Sequence, residues 1–172
     1  MEGIGQPAGN PKRGFLRDCT PGIQSLGGEK MKEKILEDQW VVGFIDALGK
    51  FIVDVKEDNI ELKFVVNVPK EDVQTLYKLK KIFQCGRIYE IENGWCLEIR
   101  KIHCIKNVVE YFDKHWLKTR KRVDFIKFRK IYLILERGQL MEKLEDVAKY
   151  AEGIRGTPRE VVDNILKLKG TG

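Results

Sequence analysis

The sequence is poor in the residues from which most metal centres are built. Its 172 residues include two histidines, His103 and His115, which are too few for a histidine-only metal cluster. The four cysteines form no CxxC pair and show none of the spacings of a zinc site. We therefore expect reduced, buried thiols of an intracellular protein, and neither a bound metal nor another cofactor. The cysteines are Cys19, Cys85, Cys96 and Cys104.

Long apolar runs are also absent. A bilayer-spanning helix needs about 20 consecutive apolar residues, and the apolar runs of this chain are far shorter. The first residues lack the apolar segment of a secretory signal. We therefore expect no membrane partner.

No single sign of charge dominates the composition. Lysine and arginine number 32 and aspartate and glutamate 26, which gives a net charge of +6, and 34% of the residues are charged. A basic but mixed composition is compatible with a polyanionic partner without requiring one.

Glycine and proline are concentrated at the N-terminus. Residues 1–31 contain seven glycines and three prolines with few apolar residues, so this stretch cannot form a core of its own. We predict an N-terminal extension over residues 1–33 and one domain over residues 34–172, a length that suits a single hydrophobic core.

The remaining chain alternates helical and strand periodicity. Two hairpins, the second turning at Asn93-Gly94, predict a four-stranded antiparallel sheet. Helices cover one face of this sheet, so the fold class is α+β. Helices are predicted over 34–49, 70–83, 106–116, 119–135, 140–151 and 158–168, and strands over 51–56, 60–68, 86–91 and 95–101.

The other face of the predicted sheet is open and polar. Alternation assigns it ten polar positions, five of them carboxylates, and so many acids make a poor surface for a DNA groove. The ten are Lys50, Asp54, Lys56, Glu61, Lys63, Asn67, Glu90, Glu92, Glu98 and Arg100.

The first helix carries the most distinctive motif. Val41-Val42-Gly43-Phe44-Ile45-Asp46-Ala47-Leu48-Gly49 lies between Trp40 and Phe51. Gly43 and Ala47 are four residues apart, so they share one helix face on which another backbone can approach closely. Gly49 ends the helix and leads directly into a strand.

This motif resembles the signature of the LAGLIDADG homing endonucleases. The stretches 83–89 and 112–128 also resemble later segments of that family, and the C-terminal helices resemble those of single-motif members encoded in algal organelle introns. The resemblance implies a LAGLIDADG-type α-β-β-α-β-β-α fold with a saddle-shaped sheet. It also implies a homodimer that packs through the 40–49 helix, at Gly43, Ala47 and Gly49, or neighbouring proteins on that face in a large assembly.

The signature departs from the family at one position. The resemblance places a catalytic, Mg²⁺-binding carboxylate just before the final glycine, and Leu48 stands there. A leucine offers no oxygen to Mg²⁺. Asp46 lies roughly 200° around the helix from that position, and we interpret it as structural. We therefore predict that the catalytic residue is lost at Leu48 and that the chain is not an enzyme.

Basic residues gather around the fourth helix. They are interleaved with flat rings, a composition that suits a phosphate backbone with exposed bases, as in structured RNA. A solvated basic helix face is the alternative. The predicted nucleic-acid-binding residues are Lys12, Arg13 and Arg17 in the extension and Lys114, Trp116, Lys118, Arg120, Lys121, Arg122, Lys127, Arg129 and Lys130.

The main hypothesis is a non-catalytic RNA-binding protein derived from a homing endonuclease. It would be a structural rRNA-binding protein of a mitochondrial ribosome or an intron maturase. The organelle follows from the resemblance, and we favour the mitochondrion over the chloroplast. The alternatives are an active Mg²⁺-dependent endonuclease that cleaves double-stranded DNA and a DNA-binding regulator on the same fold.

Overall fold

The computed structural model describes residues 36–56 and 59–168. The predicted extension, with Lys12, Arg13 and Arg17, lies outside these residues. The helices and strands follow the predicted order, and the predicted α+β class is confirmed. They are α1 Asp38–Leu48, β1 Gly49–Lys56, β2 Asn59–Val68, α2 Val73–Phe83, β3 Arg87–Ile91, β4 Gly94–Ile99, α3 Ile102–Lys114, α4 Lys121–Glu136, α5 Leu144–Glu152 and α6 Arg159–Lys167.

The four strands form one antiparallel sheet in the order β1-β2-β4-β3. Phe51 pairs with Phe64 across β1 and β2, and Phe64 pairs with Ile99 across β2 and β4. The β3–β4 turn requires a glycine, because Gly94 has a φ of +153° and a Cβ there would lie 1.9 Å from the Val68 carbonyl oxygen. These pairings fix which side chains share a face.

One face of the sheet packs against helices through a cluster of aromatic rings. Phe51 lies 5.1 Å from Phe128 and 6.2 Å from Phe112, and Phe64 lies 5.5 Å from Phe83, measured between ring centroids. Strand alternation sends every second side chain of β2 into this core, and these residues are Ile60, Leu62, Phe64, Val66 and Val68.

The helix-to-strand junction at Gly49 differs from a left-handed glycine cap. Its backbone is extended, with φ −66° and ψ 147°. A Cβ at this position would lie 2.6 Å from Cγ2 and 2.9 Å from the carbonyl oxygen of Ile45. The glycine is therefore needed for room against the preceding turn rather than for a positive φ.

The third long helix begins earlier than predicted. We expected a strand to residue 101 and a helix from 106, but β4 ends at Ile99 and α3 begins at Ile102. The Lys101 carbonyl accepts hydrogen bonds from the backbone N–H groups of Cys104 and Ile105, at 2.8 and 2.9 Å. Among the described residues, every helix is too short or too polar to cross a membrane.

Candidate functional site

Asp46 has a structural role at the C-terminal end of α1. Its Oδ2 accepts a hydrogen bond of 2.7 Å from the Lys118 backbone N–H, and its Oδ1 accepts bonds from the Thr119 hydroxyl and N–H, at 2.7 and 3.3 Å. These bonds join α1 to the loop that leads into α4. Asp46 is thus occupied within the fold, as its position in the signature predicted.

A lysine also reaches this end of α1. The Lys121 ammonium donates a hydrogen bond to the Gly49 carbonyl. Partial burial lowers the pKa of Lys121, and the nearby positive charge of Arg155 lowers it further. The arrangement places a partly desolvated cation beside the position where the family signature ends.

Leu48 occupies the position at which the family resemblance places a metal ligand. It is the last residue of α1, and 39% of its surface is exposed. Mg²⁺ binds oxygen atoms in near-octahedral geometry, whereas the Leu48 side chain ends in methyl groups and the Asp46 oxygens are hydrogen-bonded to the 118–119 loop. Neither signature residue therefore offers a free oxygen to a magnesium ion, so the ligand that Mg²⁺-dependent cleavage requires would have to come from elsewhere, and we derive no hydrolytic step through this end of α1.

The face of the sheet that points away from the helices carries cations, carboxylates and hydrogen-bonding groups together. The register places Lys63, Asn67, Glu98, Arg87 and Tyr89 on this face. Residue for residue, Val65 pairs with Glu98, Asn67 with Cys96, Arg87 with Glu98 and Tyr89 with Cys96. We define the open sheet face as Lys50, Ile52, Asp54, Glu61, Lys63, Val65, Asn67, Arg87, Tyr89, Ile91, Cys96, Glu98 and Arg100.

The carboxylates of the open sheet face are neutralised by neighbouring groups. Lys63 Nζ lies 2.7 Å from Asp54 Oδ2 and 3.3 Å from Glu61 Oε2, and its hydrogen bond lowers the pKa of Asp54. Glu98 accepts hydrogen bonds from the Arg100 guanidinium and, at 2.6 Å, from the Tyr89 hydroxyl. Lys50 and Arg87 are exposed on the same face.

The predicted acidity of this face was too high. Glu90 pairs with Trp95 and so has the opposite parity to the open sheet face, and Glu92 lies in the turn between β3 and β4. The side chain of Lys56 lies outside the described residues. Among the described side chains of this face, three carboxylates remain against four cations. Sequence alternation missed Arg87 and Tyr89 because the parity of a five-residue strand is fixed only by its pairing with β4.

The exposed face of α1 is apolar. Trp40 and Leu48 are 44% and 39% exposed, and the ring of Trp40 stacks on that of Phe44 with centroids 4.8 Å apart. Ala47 is exposed, and a Cβ added at Gly43 would meet no atom within 4 Å. The predicted dimer residues Gly43 and Ala47 thus lie on an open apolar surface, whereas Gly49 packs internally against Ile45.

The predicted nucleic-acid-binding residues of the α4 region divide into two groups. The first group makes contacts within the chain. Lys121 donates to the Gly49 carbonyl, Lys127 to the Gly153 carbonyl at 2.7 Å, Arg129 to Asp113 Oδ2 at 2.8 Å, and Lys130 lies 4.8 Å from the ring centroid of Tyr150. These contacts explain a large part of the basic composition of α4 without any partner.

The second group is exposed around the start of α4. Trp116 is 57% exposed, its indole N–H donates to the Asp113 carbonyl, and the Arg122 guanidinium lies 4.4 Å from its ring centroid. Lys114, Lys118 and Arg120 are also exposed. The structure brings these five residues to one end of α4, and their role in binding stays a prediction.

The cysteine prediction is wrong for two of the three described cysteines. Cys85 and Cys104 form a disulfide with their Cα atoms 5.7 Å apart, whereas Cys96 is a free, buried thiol. The two half-cystines are 19 residues apart in sequence. No sequence spacing could identify this pair, because the fold rather than a local motif brings the α2–β3 loop to the first turn of α3.

Comparison with solved structures identifies close matches to this fold. The homing endonuclease I-TnaI is 37% identical, with a TM-score of 0.72 over 77% of this chain and 97% of that chain. The LAGLIDADG homing endonuclease I-SmaMI, in a crystal structure bound to cleaved DNA, is 26% identical, with a TM-score of 0.70 over 80% of this chain and 50% of that chain.

Curated relatives are intron-encoded proteins of fungi. "Probable intron-encoded endonuclease 2" of Neurospora crassa is 24% identical over 70% of this chain and 30% of its own length. "Probable intron-encoded endonuclease Cox1-I1b" of Schizosaccharomyces pombe is 26% identical over 77% of this chain and 38% of its own length. The chain spans about a third of the length of these relatives. Relatives named for introns of cox1, a mitochondrial gene, indicate an organellar origin.

These comparisons correct the functional predictions. The prediction of a non-catalytic, RNA-binding protein of a ribosome or an intron is wrong, because the relatives are named endonucleases and a solved neighbour holds cleaved DNA. The prediction that the chain is not an enzyme is wrong for the same reason. The leucine at position 48 does not outweigh the similarity of the rest of the chain to endonucleases.

The signature in α1, the order of the four strands and the similarity to I-TnaI agree with one another. A family model described as LAGLIDADG endonuclease matches residues 41–132. The chain belongs to the LAGLIDADG endonuclease family.

Proposed function

We propose that the chain is a homing-endonuclease subunit or domain that binds and cleaves double-stranded DNA. The observation that carries the proposal is the open sheet face, which presents four cations, an amide and a tyrosine hydroxyl beside three carboxylates that these groups neutralise. Cations contact phosphates without regard to sequence, while amide and guanidinium groups read base edges in the major groove. The internal ion pairs hold Lys63 and Arg100 in place on this face.

A second copy of the chain is the proposed partner of α1. The exposed apolar face of Trp40, Gly43, Phe44, Ala47 and Leu48 is costly in water, and its small residues allow two helices to approach closely. Two open sheet faces side by side would double the length of DNA contacted.

The exposed group at the start of α4 is proposed to contact the DNA backbone. Lys114, Lys118, Arg120 and Arg122 supply charge, and Trp116 supplies a flat ring beside Arg122. The extension residues Lys12, Arg13 and Arg17 are proposed as additional backbone contacts. Phosphate contacts of this kind add affinity and position the protein on the duplex without specifying sequence.

We propose the mitochondrion as the organelle in which the protein acts.

The test combines DNA binding and DNA cleavage on the full chain. A library of long duplexes is incubated with the protein in Mg²⁺ or in EDTA, and the cut ends are sequenced. We expect cuts at one or a few sequences in Mg²⁺, and a gel shift of those same duplexes in EDTA. Absence of both site-specific cuts and duplex binding would overturn the proposal. Binding without cuts would overturn its catalytic half.

A further inference from the structure

Three potential metal ligands meet at the junction between α2, β3 and α3. The sulfur atoms of Cys85 and Cys104 and a ring nitrogen of His103 all lie within 4.8 Å of one another. They border a cavity of about 710 Å³. Cys104 is buried, Cys85 is half-buried and His103 is exposed, so the cluster is reached from solvent on the histidine side.

Contacts other than the disulfide also hold the two cysteine-bearing segments together. Just before Cys85, the Phe83 carbonyl accepts a hydrogen bond of 2.9 Å from the Asn107 side chain of α3, and the rings of Phe83 and Tyr111 lie 5.4 Å apart. At the other side, the Cys104 N–H donates to the Lys101 carbonyl at 2.8 Å. Reduction of the disulfide therefore leaves the two sulfur atoms as neighbours.

Reduction changes the chemistry of the cluster. A dithiol reductant gives two electrons and two protons to the disulfide, which becomes two thiols while the reductant becomes a disulfide. Each thiol then loses its proton when a metal binds, because the thiolate is the ligand. Zinc takes thiolates at about 2.3 Å and imidazole at about 2.0 Å in tetrahedral geometry, so the two sulfur atoms must move apart by side-chain rotation to bind it.

The surrounding charges favour such a centre. Arg87, Arg100 and Lys101 border the same cavity together with Glu98, which pairs with Arg100. The cations outnumber the carboxylate, and neighbouring cations favour thiolates over thiols. Two thiolates, a neutral imidazole and a divalent cation sum to zero charge, so the basic neighbours do not repel the finished centre. We propose that the reduced protein binds a thiophilic divalent cation of the zinc class through Cys85, His103 and Cys104, with water as the fourth ligand.

The proposed centre replaces one cross-link by another. The disulfide joins the α2–β3 loop to the first turn of α3, and the metal joins the same two segments when the disulfide is reduced. In a reducing compartment, the metal would therefore keep the α2–β3 loop joined to α3, close to Arg87 and Tyr89 of the open sheet face. The site does not depend on the proposed endonuclease activity.

Cobalt(II) provides the test, because tetrahedral thiolate complexes of Co²⁺ are coloured. The full chain is reduced with dithiothreitol, desalted without oxygen and titrated with Co²⁺. We expect one Co²⁺ per chain, with visible ligand-field bands and a thiolate-to-cobalt charge-transfer band that Zn²⁺ abolishes by displacement. The oxidised, disulfide-bonded protein should show neither band.

Variants separate this centre from other thiols. Cys19→Ser combined with Cys96→Ser should leave the bands unchanged, and Cys85→Ser should remove the charge-transfer band of a two-thiolate centre. His103 is exposed, so we expect His103→Ala to fold normally. The variant should weaken Co²⁺ binding about 10-fold or more. No charge-transfer band in the reduced wild type, or equal binding by His103→Ala, would overturn the proposal.

Discussion

At the level of one side chain, Leu48 is the position at which the proposed DNA cleavage can be tested separately from DNA binding. We predict that Leu48→Asp raises the Mg²⁺-dependent cleavage rate by more than about 10-fold, because a metal contributes several kcal/mol to the transition state and each 1.4 kcal/mol is a factor of about ten. Affinity for uncut duplex in EDTA is measured beside it and should be the same in Leu48→Asp and in a neutral variant, because both remove the same apolar side chain from the proposed dimer face. Single-turnover cleavage and gel shifts measure the two quantities.

The matched control is Leu48→Asn, which has nearly the same shape as aspartate and carries no charge. It should bind DNA equally well and give little of the rate increase. An equal increase in both variants would mean that the removal of leucine, rather than a new charged ligand, accelerates cleavage.

Asp46 is the residue for which a large effect on stability is expected. Asp46→Ala removes three hydrogen bonds, two of them from backbone N–H groups of the 118–119 loop. We predict a loss of about 1–3 kcal/mol in the free energy of unfolding, because those donors lose a charged acceptor. Urea denaturation measures it. Asp113→Ala, which breaks an exposed ion pair with Arg129, should cost less than about 1 kcal/mol.

At the level of the element, one face of α1 packs in the core and the opposite, apolar face is exposed. Gly43→Arg places a long charged side chain where no atom lies within 4 Å in the monomer. We predict that it converts a dimer into a monomer, as seen by analytical ultracentrifugation, without lowering monomer stability. Gln74→Arg, at an exposed position of α2, adds the same charge elsewhere and should leave the dimer intact. A wild type that is monomeric at all concentrations would contradict the proposed interface.

The elements also mark the limits of sequence-based prediction. Alternation in β2 and the Asn93-Gly94 turn were enough to predict the sheet, because strand periodicity and turn chemistry are local. The faces of Glu90 and Arg87 were not predictable, since a single-residue change of register moves a side chain to the opposite face. The disulfide depends on a contact between segments 19 residues apart. The signature identified Leu48 directly. One substitution in a motif, however, does not reveal whether the whole protein has lost its activity.

At the level of the whole molecule, exposed cations lie on the surfaces proposed to bind DNA and also on α2, which is not proposed to bind DNA. Net charge of +6 alone attracts any polyanion. Two double variants with equal net charge test whether the position of the cations, rather than their number, determines DNA binding. Lys50→Gln with Arg87→Gln neutralises two exposed cations of the open sheet face. Lys78→Gln with Lys80→Gln neutralises two exposed cations of α2, on the helix-covered side.

We predict that only the open-face pair weakens DNA binding and its salt dependence. Each phosphate contact that is lost lowers the slope of log K against log salt by about 0.9, because one fewer set of counterions is released. Fluorescence anisotropy with a labelled duplex over a range of salt concentrations measures this slope. Equal losses from the two pairs would show that binding follows total charge, and the open sheet face would then have no special place in DNA recognition.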